Sequence, residues 1–173
     1  MTSTRASWLL VALASTAGLA FTGTQIVERI HLLAFPYDAL ACDVSGTVSC
    51  SNVLAAWQSS VILGIPNAFI GAVMFAAFLS AALAALLGSQ LSAAYLRLVL
   101  GLVVFFAAFA TWFMWQTAWD IGALCLWCAG IVTCIAVIGA AVTMTALRSR
   151  LLTTLWAGWW VALVGIVAIG LWA

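Results

Sequence analysis

Five apolar runs, each about the length of a membrane crossing, leave this chain few ways to fold. They cover about 8–27, 61–87, 94–117, 122–147 and 151–172, and about 20 apolar residues are enough for a helix to cross the hydrocarbon core. Only 5% of the residues are charged, where a soluble domain carries about 25%. No stretch alternates polar and apolar residues as an outer-membrane strand would, and the runs are far too long for one. The expected class is an all-α integral membrane protein, a helical bundle formed as a single membrane domain over 1–173. There is no lysine and the net charge is +1, so no basic face is available for nucleic acid.

The first run follows Arg5, and its small residues Ala17, Gly18 and Ala20 also suit a signal peptide. Apolar sequence continues past any plausible cleavage site, which favours a span ending at Glu28-Arg29. The only sizeable polar segment, 28–60, should form an external loop. Pro36 and Gly46 predict turns in its first part. After Cys50, Ser49 or Ser51 can cap a short helix with Val53, Leu54 and Trp57 on one apolar face. That helix is too short to span and should lie on the membrane surface. His31, the single histidine, reads as a solvated or capping residue. Trp112, Trp115 and Trp119 end the third run as an interfacial belt. With the amino end inside, Arg5, Arg97, Arg148 and Arg150 fall on the cytoplasmic side and only Arg29 outside, as the positive-inside rule favours. The loop is then external, with Ser49 accessible from outside.

Chemistry points to the cysteines. Cys125 and Cys128 are three apart at the mouth of the fourth run, and on a helix both sulfurs share a face. Asp120 and Gly122 precede them where a helix should begin. Cys42 and Cys50 lie in the loop on the same side, where disulfides persist. Exchange requires a thiolate to attack a disulfide sulfur, so a mobile pair can pass electrons from a soluble partner to a fixed one. A fixed pair at bilayer depth calls for a lipid-soluble electron acceptor, and a quinone fits. Asn67 and Cys128 each lie six residues into their runs, about 9 Å below a helix start, and can flank one pocket. Asn67 can equally serve to join helices.

Three segments together resemble the bacterial branch of the vitamin K epoxide reductase family: Cys42-Asp-Val-Ser-Gly-Thr-Val-Ser-Cys50-Ser, Asn67-Ala-Phe-Ile-Gly71 and Cys125-Leu-Trp-Cys128. The resemblance covers roughly Trp8 to Leu147. It implies a four-helix bundle around a quinone (menaquinone or ubiquinone) with a fifth transmembrane helix beside it. It implies that Cys128 faces the quinone with Cys125 as its partner, that Cys50 exchanges with Cys125, and that Cys42 meets the external redox protein. Asn67 matches the family's hydrogen-bond donor to a quinone oxygen, with Trp57 and Phe69 as apolar candidates for the pocket. Members acting on vitamin K carry a tyrosine where this chain has Val132. Many bacterial relatives carry a fused thioredoxin-like domain; this sequence stops at Ala173, so the expected partner is a separate DsbA-like thioredoxin-fold protein. Cys134 matches nothing and reads as a small buried hydrophobe.

The leading expectation is a quinone-dependent thiol oxidoreductase of the cytoplasmic membrane that drives disulfide formation outside. Two other classes compete. One is a metal site with cysteine thiolates as ligands, although seven residues between Cys42 and Cys50 is unusual spacing for zinc. The other is a transporter or structural subunit whose loop disulfide is only a staple, although no charged midplane element supports transport.

Overall fold

The computed structural model describes residues 2–172. Its elements are α1 (Thr2–Ala34), α2 (Cys50–Ala55), α3 (Asn67–Leu86), α4 (Ala93–Gln116), α5 (Leu126–Ala146) and α6 (Arg150–Trp172). A 3-10 turn over Trp57–Ser60 follows α2, and a π turn over Thr117–Ile121 follows α4. Among the described residues, five helices are long and apolar enough to cross a membrane. Among the described residues there is no sheet, only two isolated bridges. This is an all-helical, multi-pass membrane protein.

The helix ends differ from the edges of the apolar runs, for identifiable reasons. Charge ends an apolar run but not a helix, since Glu and Arg are good helix formers. Accordingly α1 passes through Glu28 and Arg29 to Ala34, and Pro36 follows two residues later, where helices commonly stop. In the other direction, α3 starts only at Asn67, with Pro66 as its N-cap. The apolar residues before it form a turn in which Ile65 N–H donates to the Ile62 carbonyl (2.9 Å). Leu63 and Gly64 adopt left-handed φ of 53° and 74° there.

Asp120 does not open a helix. It sits in the π turn that prolongs α4, and Gly122, at φ 70°, reverses the chain before α5. Asp120 accepts a hydrogen bond from Gln58 Nε2 instead of facing a helix N-terminus.

The long helices run up and down, so one end of the bundle gathers the carboxyl ends of α1 and α4, α2, and the amino ends of α3 and α5. Helix α1 packs against α3 and α5, and α5 against α4 and α6. Phe75 and Phe78 of α3 are buried in this core. Gly18 of α1 meets the Phe75 ring with no room for a Cβ. Helix α6 lies outside the other four. Three of its tryptophans reach hydroxyls of neighbouring helices: Trp156 Nε1 donates to Thr143 (2.8 Å), Trp159 to Thr111 (2.9 Å) and Trp160 to Thr133 (3.1 Å).

Candidate active site

Two loop cysteines and two helix cysteines meet at the gathered end of the bundle. Cys42 and Cys50 form a disulfide with Cα atoms 5.6 Å apart. Cys125, Cys128 and Cys134 are free and buried, and Cys134 packs in the core as the sequence suggests. The Cys50 and Cys125 sulfurs lie only 3.2 Å apart, and Cys42, Cys50 and Cys125 sulfurs all fall within 4.8 Å of one another. Thus the loop disulfide rests directly on the first thiol of the helix pair.

Main-chain hydrogen bonds hold it there. Ser49 N–H donates to the Leu124 carbonyl (3.1 Å), and Leu124 N–H donates to the Thr47 carbonyl (2.9 Å). This short parallel bridge between Val48 and Leu124 places the residue after each strand-like segment, Cys50 and Cys125, side by side. Asp43 ties the loop to itself. Its Oδ2 accepts from Leu40 N–H (2.6 Å) and its Oδ1 from the Ser49 hydroxyl (2.9 Å) and Ser51 N–H (3.0 Å). Partial burial opposes ionisation of this carboxyl. The hydrogen bonds from Ser51, Leu40 and Ser49 outweigh that and hold it below the usual aspartate range. Ser49 caps α2 by accepting from Asn52 N–H (3.3 Å). The accessibility expected of Ser49 is not found, because these contacts bury it.

The helix pair departs from a simple helical Cys-x-x-Cys. Cys125 is extended and serves as the N-cap of α5, and its sulfur accepts from Cys128 N–H at 3.4 Å. Cys128 is therefore the third residue of α5 and Asn67 the first of α3. The expected depth of about 9 Å below each helix start is corrected accordingly. Both still reach one pocket, because α3 and α5 begin at the same end of the bundle.

That pocket is an apolar cavity of about 110 Å³, lined mainly by α1, α3, α4 and α5. Cys128 and Asn67 both line it, as do Phe105, Phe106 and Phe109. Val132 contributes to its apolar wall. Trp57 and Phe69, the apolar candidates, do not line it; both are largely exposed. The Trp57 ring instead lies near Trp112. Asn67 Nδ2 donates to the Gln58 carbonyl (2.7 Å), while its Oδ1 is buried without a partner. Arg29 also reaches the cavity, and its Nε is likewise buried and unpartnered. His31, expected as solvated or capping, pairs with Asp38 (3.0 Å) at the surface.

A family model for the vitamin K epoxide reductase family matches residues 8–143. The chain belongs to that family. With its disulfide-forming cysteine pairs, this vitamin K epoxide reductase family protein is a membrane thiol oxidoreductase. A comparison with curated proteins finds no match.

Three functional candidates escape a reading of the sequence. Gln25 donates from Nε2 to the Cys128 sulfur (2.9 Å) and lies 3.6 Å from the Cys125 sulfur. Glu28 accepts from Trp127 Nε1 (2.9 Å), and Arg29 enters the cavity. All three belong to the last turns of α1. The available signal is one amide in an apolar run, and intramembrane polar groups rarely go unpartnered.

Proposed function

We propose that this protein oxidises a thioredoxin-fold partner outside the cytoplasmic membrane and passes the electrons through Cys42/Cys50 and then Cys125/Cys128 to a quinone. The 3.2 Å separation of the Cys50 and Cys125 sulfurs carries the reading. It is the contact that exchange between the two pairs requires. In this arrangement the loop pair is oxidised and the helix pair reduced, the state expected once electrons have moved inward.

The cavity suits a quinone chemically. Its walls are apolar and aromatic, Cys128 borders it, and the unpartnered Arg29 Nε can donate to a ring oxygen. A bound menaquinone or ubiquinone supplies a two-electron, two-proton acceptor. Asn67 and Arg29 would hold its oxygens and the phenylalanines of α4 its ring or tail. The remaining N–H of the Asn67 carboxamide can still donate, since one is taken by Gln58. Cys42 is buried in this state, so a partner thiolate gains it only when the loop opens.

Orientation follows from the distribution of charge along the bundle. Arg5, Arg97, Arg148 and Arg150 fall at the end opposite the cysteines, and all four acids at the cysteine end. The positive-inside rule then puts the amino end in the cytoplasm and the cysteines outside.

The test is quinone reduction by purified protein, supplied with a reduced thioredoxin-fold protein or with a small thiol. Cys128→Ser should abolish reduction with either donor. Cys42→Ser should block the protein donor and largely spare the small one. Undiminished quinone reduction by Cys128→Ser would overturn the reading.

A further inference from the structure

Gln25 is almost fully buried, at 4% exposure, on the face of α1 that packs into the bundle. A carboxamide there must find partners or bear the cost of burial unpaired. Its Nε2 finds sulfur: Cys128 at 2.9 Å and Cys125 at 3.6 Å. The placement is fixed from both sides. One turn earlier, the Phe21 ring lies against Gly130 of α5, where an added Cβ would meet it at 2.7 Å. Nearly one turn later, Glu28 receives the indole N–H of Trp127 (2.9 Å). Three consecutive contacts thus clamp this stretch of α1 onto the first turn of α5, with the amide aimed at the thiols.

An N–H donor distinguishes the two oxidation states of the pair. Toward a thiolate the hydrogen bond is charge-assisted, about twice as strong as a neutral one; toward a disulfide sulfur it is weak. An amide also brings no charge of its own into the bilayer, where a charge is costly.

We propose that Gln25 is a catalytic residue that holds the Cys128 sulfur as the leaving thiolate when the Cys125–Cys128 disulfide is opened. The step rests on the proposed relay. Cys50 thiolate attacks the Cys125 sulfur, the Cys125–Cys128 bond breaks, and its electron pair leaves on Cys128. A Cys50–Cys125 mixed disulfide results. Cys42 thiolate then attacks Cys50, forming the Cys42–Cys50 disulfide and releasing Cys125 thiolate. Two electrons have moved from loop to helix, and the two protons given up by the loop thiols balance the two new thiolates. A better-stabilised leaving thiolate departs faster, so Gln25 speeds inward transfer and makes the helix pair the stronger oxidant.

The experiment measures the redox equilibrium of each pair in full-length protein carrying Cys134→Ser. Samples are equilibrated in graded dithiol buffers, alkylated, and read by peptide mass. Gln25→Met and Gln25→Leu should make Cys125–Cys128 about tenfold harder to reduce, which is about 30 mV for a two-electron couple. Gln25→Glu, presenting acceptor oxygens, should shift it further the same way. The Cys42–Cys50 equilibrium in the same samples should stay put. If Gln25→Met folds and holds the helix pair within twofold of the parent, the proposal is wrong. If none of the three variants folds, Gln25 is structural and the proposal also fails. Failure of the relay reads differently: Cys50→Ser would then leave transfer from a protein donor intact, with the Gln25 shifts still present.

Discussion

Asp43 organises the loop that brings Cys50 to Cys125, and its removal should lower the chance of that encounter by a calculable amount. The carboxylate accepts three hydrogen bonds, from Leu40 N–H, the Ser49 hydroxyl and Ser51 N–H. A hydrogen bond to a charged group contributes about 1.5–3 kcal/mol when protected from water. Asp43 is only partly buried, so water recovers much of the loss at the two backbone donors. The Val48–Leu124 bridge also survives the substitution. A net weakening of about 2 kcal/mol is reasonable for the set, which is about 30-fold in an equilibrium constant. The assay uses protein with Cys42, Cys128 and Cys134 changed to Ser, so that Cys50 and Cys125 are left to pair. Their disulfide, titrated against glutathione, reports the effective concentration of one thiol at the other. Asp43→Ala should lower it about 30-fold, and Asp43→Asn, which keeps an acceptor, by less. A change below threefold for Asp43→Ala would show that the main-chain bridge alone sets the approach, refuting the role given to the carboxylate.

The same carboxyl gives the loop a pH dependence of definite sign. Its folded-state acidity is strengthened by the hydrogen bonds, so its stabilisation is complete above the ordinary aspartate value of about 3.9 and disappears as pH falls through the lower folded value. Hydrogen exchange at Ser51 and Leu40 should accelerate in acid beyond its intrinsic trend, and Asp43→Asn should remove that extra acceleration. Gly130→Ala should push Phe21 off α5, costing about 1–3 kcal/mol as overpacking does; a lowered Tm that Phe21→Leu partly restores would confirm the contact. For topology, a single reporter cysteine at exposed Val44 in otherwise cysteine-free protein should react with an impermeant maleimide in intact cells. Reaction only after lysis would reverse the orientation.

Some of this molecule is legible in its sequence because the bilayer acts on length and polarity, which a sequence displays. The five spans and the segregation of arginines are of that kind. The grouping of Cys42, Cys50, Cys125 and Cys128 at one end of the bundle is legible from two spacings and a resemblance. Helix ends are less legible, since an apolar edge marks where lipid stops, not where backbone geometry changes; α1 runs about two turns past its apolar edge and α3 begins inside its own. The partners of Asp43 and Gln25 lie beyond any local pattern. Asp43 reads as one more polar loop residue until the loop closes on itself. Gln25 stands 100 residues from Cys125, and nothing in its neighbourhood along the chain says which helix it will face. Trp57 and Phe69 lie outside the cavity lining for a related reason: aromatic character predicts contact with something apolar, and lipid serves as well as a pocket.

The bridge between Val48 and Leu124 has a consequence for which changes the loop can absorb. The atoms that fix sulfur against sulfur are amide nitrogens and carbonyl oxygens, common to almost every residue type. The register therefore does not depend on which side chain Val48 carries, whereas Leu124 also packs against the core. Proline is the exception, because it has no N–H to give. At position 124 it would erase the bond to Thr47 and at position 49 the bond to Leu124, and at the latter it would also demand a φ near −65° where the chain adopts −147°. In a saturation library at position 48, the spacing of the Cys50 and Cys125 sulfurs would thus be recorded as a column of tolerance broken at one amino acid, since proline there would also lose the N–H given to Ser45.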